Sequence, residues 1–350
     1  MKGINPFCCS SYLAFRYVAD PTQSWIKGVR PVFPHLDVSM QTEVGTADEI
    51  LIALRNIVSQ IIGNGKIAIF LSSGIDSAIL AALLPKTTLA YTIDFEAPGF
   101  RKESERAALY AKANNLEHRA VRVTWRDYLE NEERLMIHKE SPLHPVEPAL
   151  YKASLIAKED GVEKVVIGNG ADSTFGGLDK LLSKDWTFDE FVERYTFVKP
   201  QHVLKESVDV RNIYEPYRKA TRYIDVQGFL KVVHGLGIVQ AFNNAIGLAG
   251  LEILQPYENL KLRGSLDIEK IRKGMPKYLL REVFSILYPH LTPPPKVAFA
   301  RPMEAWLETY SGPLSDLFRK DIHIESYTGE QKFIIRSLDE FIRCLREGKV

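Results

Sequence analysis

The chain of 350 residues has only three cysteines, Cys8, Cys9 and Cys344. So few, so unevenly placed, exclude a disulfide framework and a cysteine-based zinc site. The Cys8–Cys9 pair reads as two small, semi-buried side chains. No apolar run approaches the length of a membrane span, and the opening stretch MKGINPFCCSSYLAFRYV lacks the long apolar core of a signal peptide. An excess of one charge is missing too: 45 basic residues stand against 44 acidic ones, for a net charge of +1. Neither a nucleic acid nor an anionic membrane is therefore an expected partner. A reducing, cytoplasmic setting is the expectation that follows.

What is present is an ordinary globular composition, 45% hydrophobic and 25% charged. The length suits two domains, or one large domain with an appended subdomain. From Lys66 the chain alternates between strand-like and helix-like segments. KIAIFL is an apolar run of strand length, and SAILAALLP is an apolar helix stopped by Pro85. TLAYTIDF (88–95) reads as a second strand, followed by an amphipathic helix, RKESERAALYAKANN, with Ala107, Leu109 and Ala111 turned inward. HRAVRVT alternates like a strand. EPALYKASLIAKEDG is a helix with Pro148 near its start and Gly161 at its C-cap, and KVVIG (164–168) is a fourth strand. This cadence predicts an α/β fold, a doubly wound parallel sheet with crossover helices. After Leu178 it stops, and a mainly helical C-terminal region is expected. The expected division is an N-terminal extension (1–45), a sheet domain (46–178) and a helical region (179–350).

Two loops fall where such a sheet binds ligands, beyond the carboxyl ends of strands. The first is LSSGIDS (71–77), whose small residues let an anion approach closely and whose Ser72, Ser73 and Ser77 add hydroxyl donors. The second is GNGADSTFGG (168–177). Either loop alone is also consistent with a short polar turn. A strand order of 3-2-1-4 puts strands one and four side by side, so that Asp76 and Asp172 face one crevice. Two carboxylates beside an anion cradle suit Mg²⁺ and a polyphosphate. Neither loop carries G-x-x-x-x-G-K-[ST], which excludes a Walker-type site, and no G-x-G-x-x-G follows the first strand.

These residues carry a family resemblance. LSSGIDS resembles the S-G-G-x-D-S loop of N-type ATP pyrophosphatases, and GNGADSTFGG resembles the G-E-G-A-D-E-x-F-G-G loop of asparagine synthetases. GLEILQPYEN (250–259) is similar to that family's G-L-E-x-R-x-P-F-L-D. KYLLREVF (277–284) resembles K-x-x-L-R, and PKVAFARPMEAWL (295–307) resembles the R-K-x-G-F-x-x-P segment. YLAFRYVADPTQSWIKGVRPVFP resembles the stretch joining the two halves of asparagine synthetases. The glutaminase half is expected to be missing, which leaves free ammonia, a separate ammonia-supplying protein or an amine as nitrogen source. The resemblance implies ATP and Mg²⁺ as cofactors and a small-molecule carboxylate as substrate, which is adenylated and then converted to an amide. It implies that Ser72, Ser73, Gly74, Ile75 and Ser77 hold pyrophosphate, with Gly168 beside them. Asp76 and Asp172 would share the metal. Leu71 and Ile93 would lie against adenine, Lys296 would stabilise the reacting α-phosphate, and Asn169, Gly170 and Glu252 would shape the acceptor pocket.

Departures from the pattern bear on the acceptor chemistry. Ser73 replaces a glycine and would be strained if the position needs positive φ. Asn169 stands where asparagine synthetases have glutamate and β-lactam-forming relatives have tyrosine, and it cannot act as a base. Ser173, Leu254, Asn259 and Ala298 also differ. Three readings remain open: an intermolecular amide synthetase, a cyclase of the β-lactam synthetase type, and a non-catalytic nucleotide-binding relative.

Overall fold

The computed structural model describes residues 3–34, 41–63, 65–220, 222–294 and 299–350. In chain order its strands are β1 (Thr42–Val44), β2 (Ile67–Phe70), β3 (Leu89–Phe95), β4 (Glu117–Val123), β5 (Lys164–Val166), β6 (Glu252–Leu254) and β7 (Leu260–Leu262). Five of them form a parallel sheet in the order β4-β3-β2-β5-β6. The first four neighbours reproduce the expected 3-2-1-4 arrangement. The fifth, β6, comes from the region read as helical. Its three residues are too few to show alternation, so the sequence carried no signal for it. The remaining two, β1 and β7, pair in a separate parallel ribbon.

Both faces of the central strands β2 and β3 are buried, as in other parallel sheets, while the edge strand β4 is largely exposed. Ile67 and Ile69 of β2 pack with the helices Ala47–Ile62, Ile75–Ala81 and Tyr278–Leu287. Ala68 of β2 and Leu89, Tyr91, Ile93 and Phe95 of β3 face the other way, into a core with the helices Trp125–Lys139, Glu147–Glu159 and Gly235–Leu248. That second core also takes the N-terminal helix Pro6–Phe15 and the C-terminal helix Gly329–Arg346. Residues 8–15 of the N-terminal helix are all buried. Pro6 begins it, and Asn5 caps it by accepting the Phe7 N–H at 2.9 Å. Burial pushes the Cys8 and Cys9 thiols up to about 12, so neither is a nucleophile at neutral pH.

Two local expectations need correction. The helix after Gly74 ends at Ala81, well before Pro85. In the helix Ser104–Ala113, Ala107, Tyr110 and Ala111 turn inward at a spacing of three and four, which leaves Leu109 on the outer face, 53% exposed. Gly161 follows the helix Glu147–Glu159 with φ +78°, the left-handed conformation a glycine accepts freely. No helix among the described residues is long and apolar enough to cross a membrane.

Candidate active site

The crevice opens beyond β2 and β5, where neighbouring strand ends carry the two polar loops. Leu71 extends β2, donating its N–H to the Tyr91 carbonyl at 2.8 Å. The chain then turns through Ser72, Ser73 and Gly74 into the helix Ile75–Ala81. Hydroxyls of the loop hold the turn. Ser77 Oγ accepts the Ser72 N–H at 3.0 Å and lies 2.9 Å from Ser72 Oγ, which accepts the Gly74 N–H at 3.2 Å. Ser73 does not take a positive φ, so the strain foreseen for it does not arise. Instead its N–H and hydroxyl both donate to Glu103 Oε1, at 2.8 and 2.6 Å.

Beyond β5 the second loop passes close to the first. An added Cβ at Gly168 would stand 3.2 Å from Asp76 Cβ and 3.3 Å from the Ser77 nitrogen. Asn169 and Gly170 (φ +90°) follow, and the short helix Ala171–Thr174 carries Asp172. Lys277, which precedes the helix Tyr278–Leu287, joins the two aspartates. Its Nζ is 2.5 Å from Asp76 Oδ2 and 2.8 Å from Asp172 Oδ1, and its side chain is only 6% exposed. Burial alone would lower the Lys277 pKa, but the two carboxylates outweigh it and hold the ammonium above its ordinary value. The backbone of Lys277 is itself left-handed, φ 54°, a conformation that costs a non-glycine residue about 1–2 kcal/mol. Gly177 makes room for the cluster: a Cβ there would stand 1.8 Å from Asp172 Oδ1 and 2.2 Å from Lys277 Cε. Sequence reading passed over Lys277, although it opens the KYLLREVF segment.

Asp76, Asp172, Ser72 and Ser77 line a cavity of about 320 Å³, with Leu71 and Ile93 on its apolar wall. Gly168, Asn169 and Gly170 belong to the same cavity. An adjoining cavity of about 350 Å³ shares Ser72, Asp76 and Asp172 and adds Ser73, Gly74, Ile75 and Lys277. Asn169 Nδ2 donates to Gln255 Oε1 at 2.8 Å and to Glu258 Oε1 at 2.9 Å. Burial raises the pKa of Glu258, with Lys231 opposing the shift. Glu258 is an acid the sequence offered no reason to select, since it falls inside PYEN at a position without a marked residue. One expected site residue stays outside. Glu252 begins β6 opposite Lys164, at the far end of the strands from the crevice, and pairs with Lys164 at 3.3 Å on the exposed surface. Lys296 falls among residues 295–298, outside the described residues.

The aspartate pair satisfies one requirement of a Mg²⁺ site. Both oxygens reach one point, marked here by the Lys277 nitrogen. Among the described residues no cluster of three or more His, Cys, Asp or Glu side chains could enclose a metal. Two carboxylates with the other positions left to phosphate oxygens and water is the usual Mg²⁺ arrangement, so the residues fit that ion.

Comparison with known proteins agrees with this geometry at the level of family. Search of the curated proteins found no significant match. Among solved structures, an NH3-dependent NAD synthetase from Campylobacter jejuni is 16% identical, with a TM-score of 0.27; the match covers 38% of this chain and 61% of that one, less than two-thirds of its length. The U34-tRNA thiolase NcsA from Methanococcus maripaludis is 15% identical over 85% of this chain and 79% of its own, with a TM-score of 0.31. An NMN synthetase from Francisella tularensis is 14% identical over 74% and 99%, with a TM-score of 0.28. Likeness this loose says nothing of substrate. The asparagine synthase family model, by contrast, matches residues 49–228, just over half the chain and both loops of the crevice. On that match, the chain belongs to the asparagine synthase family.

Proposed function

We propose that the protein is an ATP-dependent, AMP-forming amide synthetase. The observation that carries this reading is the convergence of Asp76 and Asp172, from two separate loops, on one buried ammonium beside a serine-lined turn. In this reading adenine lies against Leu71 and Ile93. Ser72, Gly74 and Ser77 receive the β- and γ-phosphates. Asp76 and Asp172 hold Mg²⁺, which supplies neutralisation of the departing pyrophosphate when bound. Lys277 keeps the two carboxylates together and offsets their mutual repulsion before nucleotide arrives. Lys296 carries over from the family motif as the cation facing the α-phosphate.

The substrate carboxylate attacks the α-phosphorus, and pyrophosphate leaves. A nitrogen nucleophile then attacks the acyl carbon of the adenylate; the amide forms, AMP departs, and the nitrogen gives up a proton. Asn169 cannot take that proton. Glu258, hydrogen-bonded to Asn169 and raised in pKa by burial, is the group in the cavity suited to do so. The opposing reading, nucleotide binding without turnover, draws on Glu103, whose carboxylate already occupies the Ser73 donors. Pyrophosphate release from ATP, measured across a library of carboxylic acids with ammonium and simple amines, separates the two. Acid-dependent release supports the synthetase; ATP binding with no release for any acid removes it.

A further inference from the structure

We propose that the chain holds its own crevice shut with two internal stand-ins, Lys277 on the metal carboxylates and Glu103 on the phosphate donors. Metal and polyphosphate then bind by displacing them, and each eases the entry of the other. The proposal rests on the synthetase reading for where metal and phosphates go. On the metal side, the Lys277 ammonium is held by Asp76 Oδ2 at 2.5 Å and by Asp172 Oδ1 at 2.8 Å. These are the two carboxylates that fit Mg²⁺, and a divalent ion bridging them would be pressed against a like charge. Ammonium and ion therefore compete for the same oxygens. On the phosphate side, Glu103 Oε1 accepts both the Ser73 N–H, at 2.8 Å, and the Ser73 hydroxyl, at 2.6 Å. A backbone N–H and a hydroxyl converging on one anionic oxygen are the contacts a phosphate oxygen would make there.

Neither contact serves the element that carries it. Glu103 directly precedes the helix Ser104–Ala113, yet its side chain does not cap that helix. Asp94 does so instead, with Oδ1 accepting the Ser104 N–H at 2.9 Å. Lys277 precedes the helix Tyr278–Leu287, again without capping it, and keeps a left-handed φ of 54°. A backbone conformation that costly persists where surrounding contacts hold it, and the two aspartates are those contacts. Both stand-ins line one cavity with Ser73 and Gly74. The Lys277 side chain is 6% exposed, so an ammonium driven off its carboxylates needs a new counter-charge inside that cavity. A polyphosphate supplies it. Without metal, in turn, a polyphosphate must approach Asp76, Glu103 and Asp172, all carboxylates. Each ligand removes the obstacle to the other, which makes the coupling reciprocal.

The test reads binding with chemistry blocked. The full chain is titrated by calorimetry with Mg²⁺ alone, with pyrophosphate alone in EDTA, and with Mg²⁺ in saturating α,β-methylene-ATP. That analogue cannot be cleaved between its first two phosphates, and the heats are corrected for its own association with Mg²⁺. The wild-type chain is expected to bind Mg²⁺ more tightly with the analogue than without it. Lys277→Met should bind Mg²⁺ alone about tenfold or more tightly than wild type does, the scale on which a close like charge is felt. Glu103→Gln should bind pyrophosphate alone a few-fold more tightly and should not tighten Mg²⁺. Equal Mg²⁺ binding by the wild-type chain with and without the analogue, including none in either, overturns the proposal whether or not the variants fold. A folded Lys277→Met protein with unchanged or weaker Mg²⁺ binding overturns it too, as expected if the lysine only holds the aspartates in place. So does a folded Glu103→Gln protein whose pyrophosphate affinity is unchanged. Failure of the synthetase reading looks different: the affinity shifts would stand, while acid-dependent pyrophosphate release from true ATP would be absent.

Discussion

The phosphate end of the cavity is assembled from two short runs, 71–77 and 168–177, each directly after a strand, with Lys277 locking their aspartates together. The acceptor end gathers His144, Glu258 and Arg301 from distant places in the chain, with Asn169 at the edge of the second run. The first end therefore inherits its geometry from the sheet, because a loop that begins where a strand ends has its direction set by that strand. The second depends on how the segment before the helix Glu147–Glu159, the segment after β6 and the C-terminal region pack over the crevice. Changes at the phosphate end should disable reaction with every acid. Changes at the acceptor end should alter which acid is used, or the step after adenylation.

The largest effect is expected at the aspartates. Asp76→Asn and Asp172→Asn should each lower turnover about 10²–10³-fold with every acid tested, the scale on which loss of one preorganised electrostatic group is felt. A pyrophosphate assay checks this, and a loss confined to some acids would merge the two ends. Lys277→Met should do comparable damage to turnover and also destabilise the ligand-free chain. Removing one partner of a buried pair costs about 3–5 kcal/mol, and the lower figure applies because Asp172 is 45% exposed. Added Mg²⁺ should restore part of that loss in urea denaturation. No response to Mg²⁺ would mean that the two carboxylates do not take the ion.

Beneath the acceptor wall lies a second ion pair, Lys139–Glu147 at 2.6 Å, with side chains 1% and 0% exposed. Glu147 also accepts the His144 N–H at 2.6 Å, so the pair fixes the backbone at the cavity wall. Lys139→Met leaves that carboxylate buried without its cation and should cost about 3–5 kcal/mol in chemical denaturation.

Glu258→Gln should lower turnover about 10²-fold while leaving adenylate formation, read as ATP–pyrophosphate exchange, near wild type. Its pH dependence has a definite sign. The protonated acid cannot accept a proton, so wild-type turnover should rise as pH climbs through the raised pKa of Glu258, and the variant should lack that rise. Stability runs the other way. The contribution of a carboxyl with raised pKa is present below its ordinary value of 4.5 and is lost as pH rises through the folded value. The smallest effect is expected at Glu103, whose negative charge sits on the Ser73 donors. Glu103→Gln should tighten pyrophosphate binding a few-fold, most clearly at low salt, where screening is weakest.

The same contrast explains what could be read from sequence. The order of four strands and the juxtaposition of Asp76 with Asp172 followed from apolar runs, their spacing and the rule that ligands gather at carboxyl strand ends. Strand β6 escaped because three residues carry no period. Glu252 was misplaced because its motif names a residue type without saying which end of the strand it occupies. Lys277 and Glu258 went unselected because nothing local marks them: one is a lysine before a helix, the other an acid in a proline-containing turn.

The bond at which ATP breaks tests the central claim most directly. The purified chain is incubated with ATP, Mg²⁺, ammonium and each member of the carboxylic acid library, and the nucleotide products are separated by chromatography. With an acid that the enzyme accepts, AMP and pyrophosphate should appear in equal amounts, matched by amide. ADP and inorganic phosphate in their place would contradict an acyl-adenylate route.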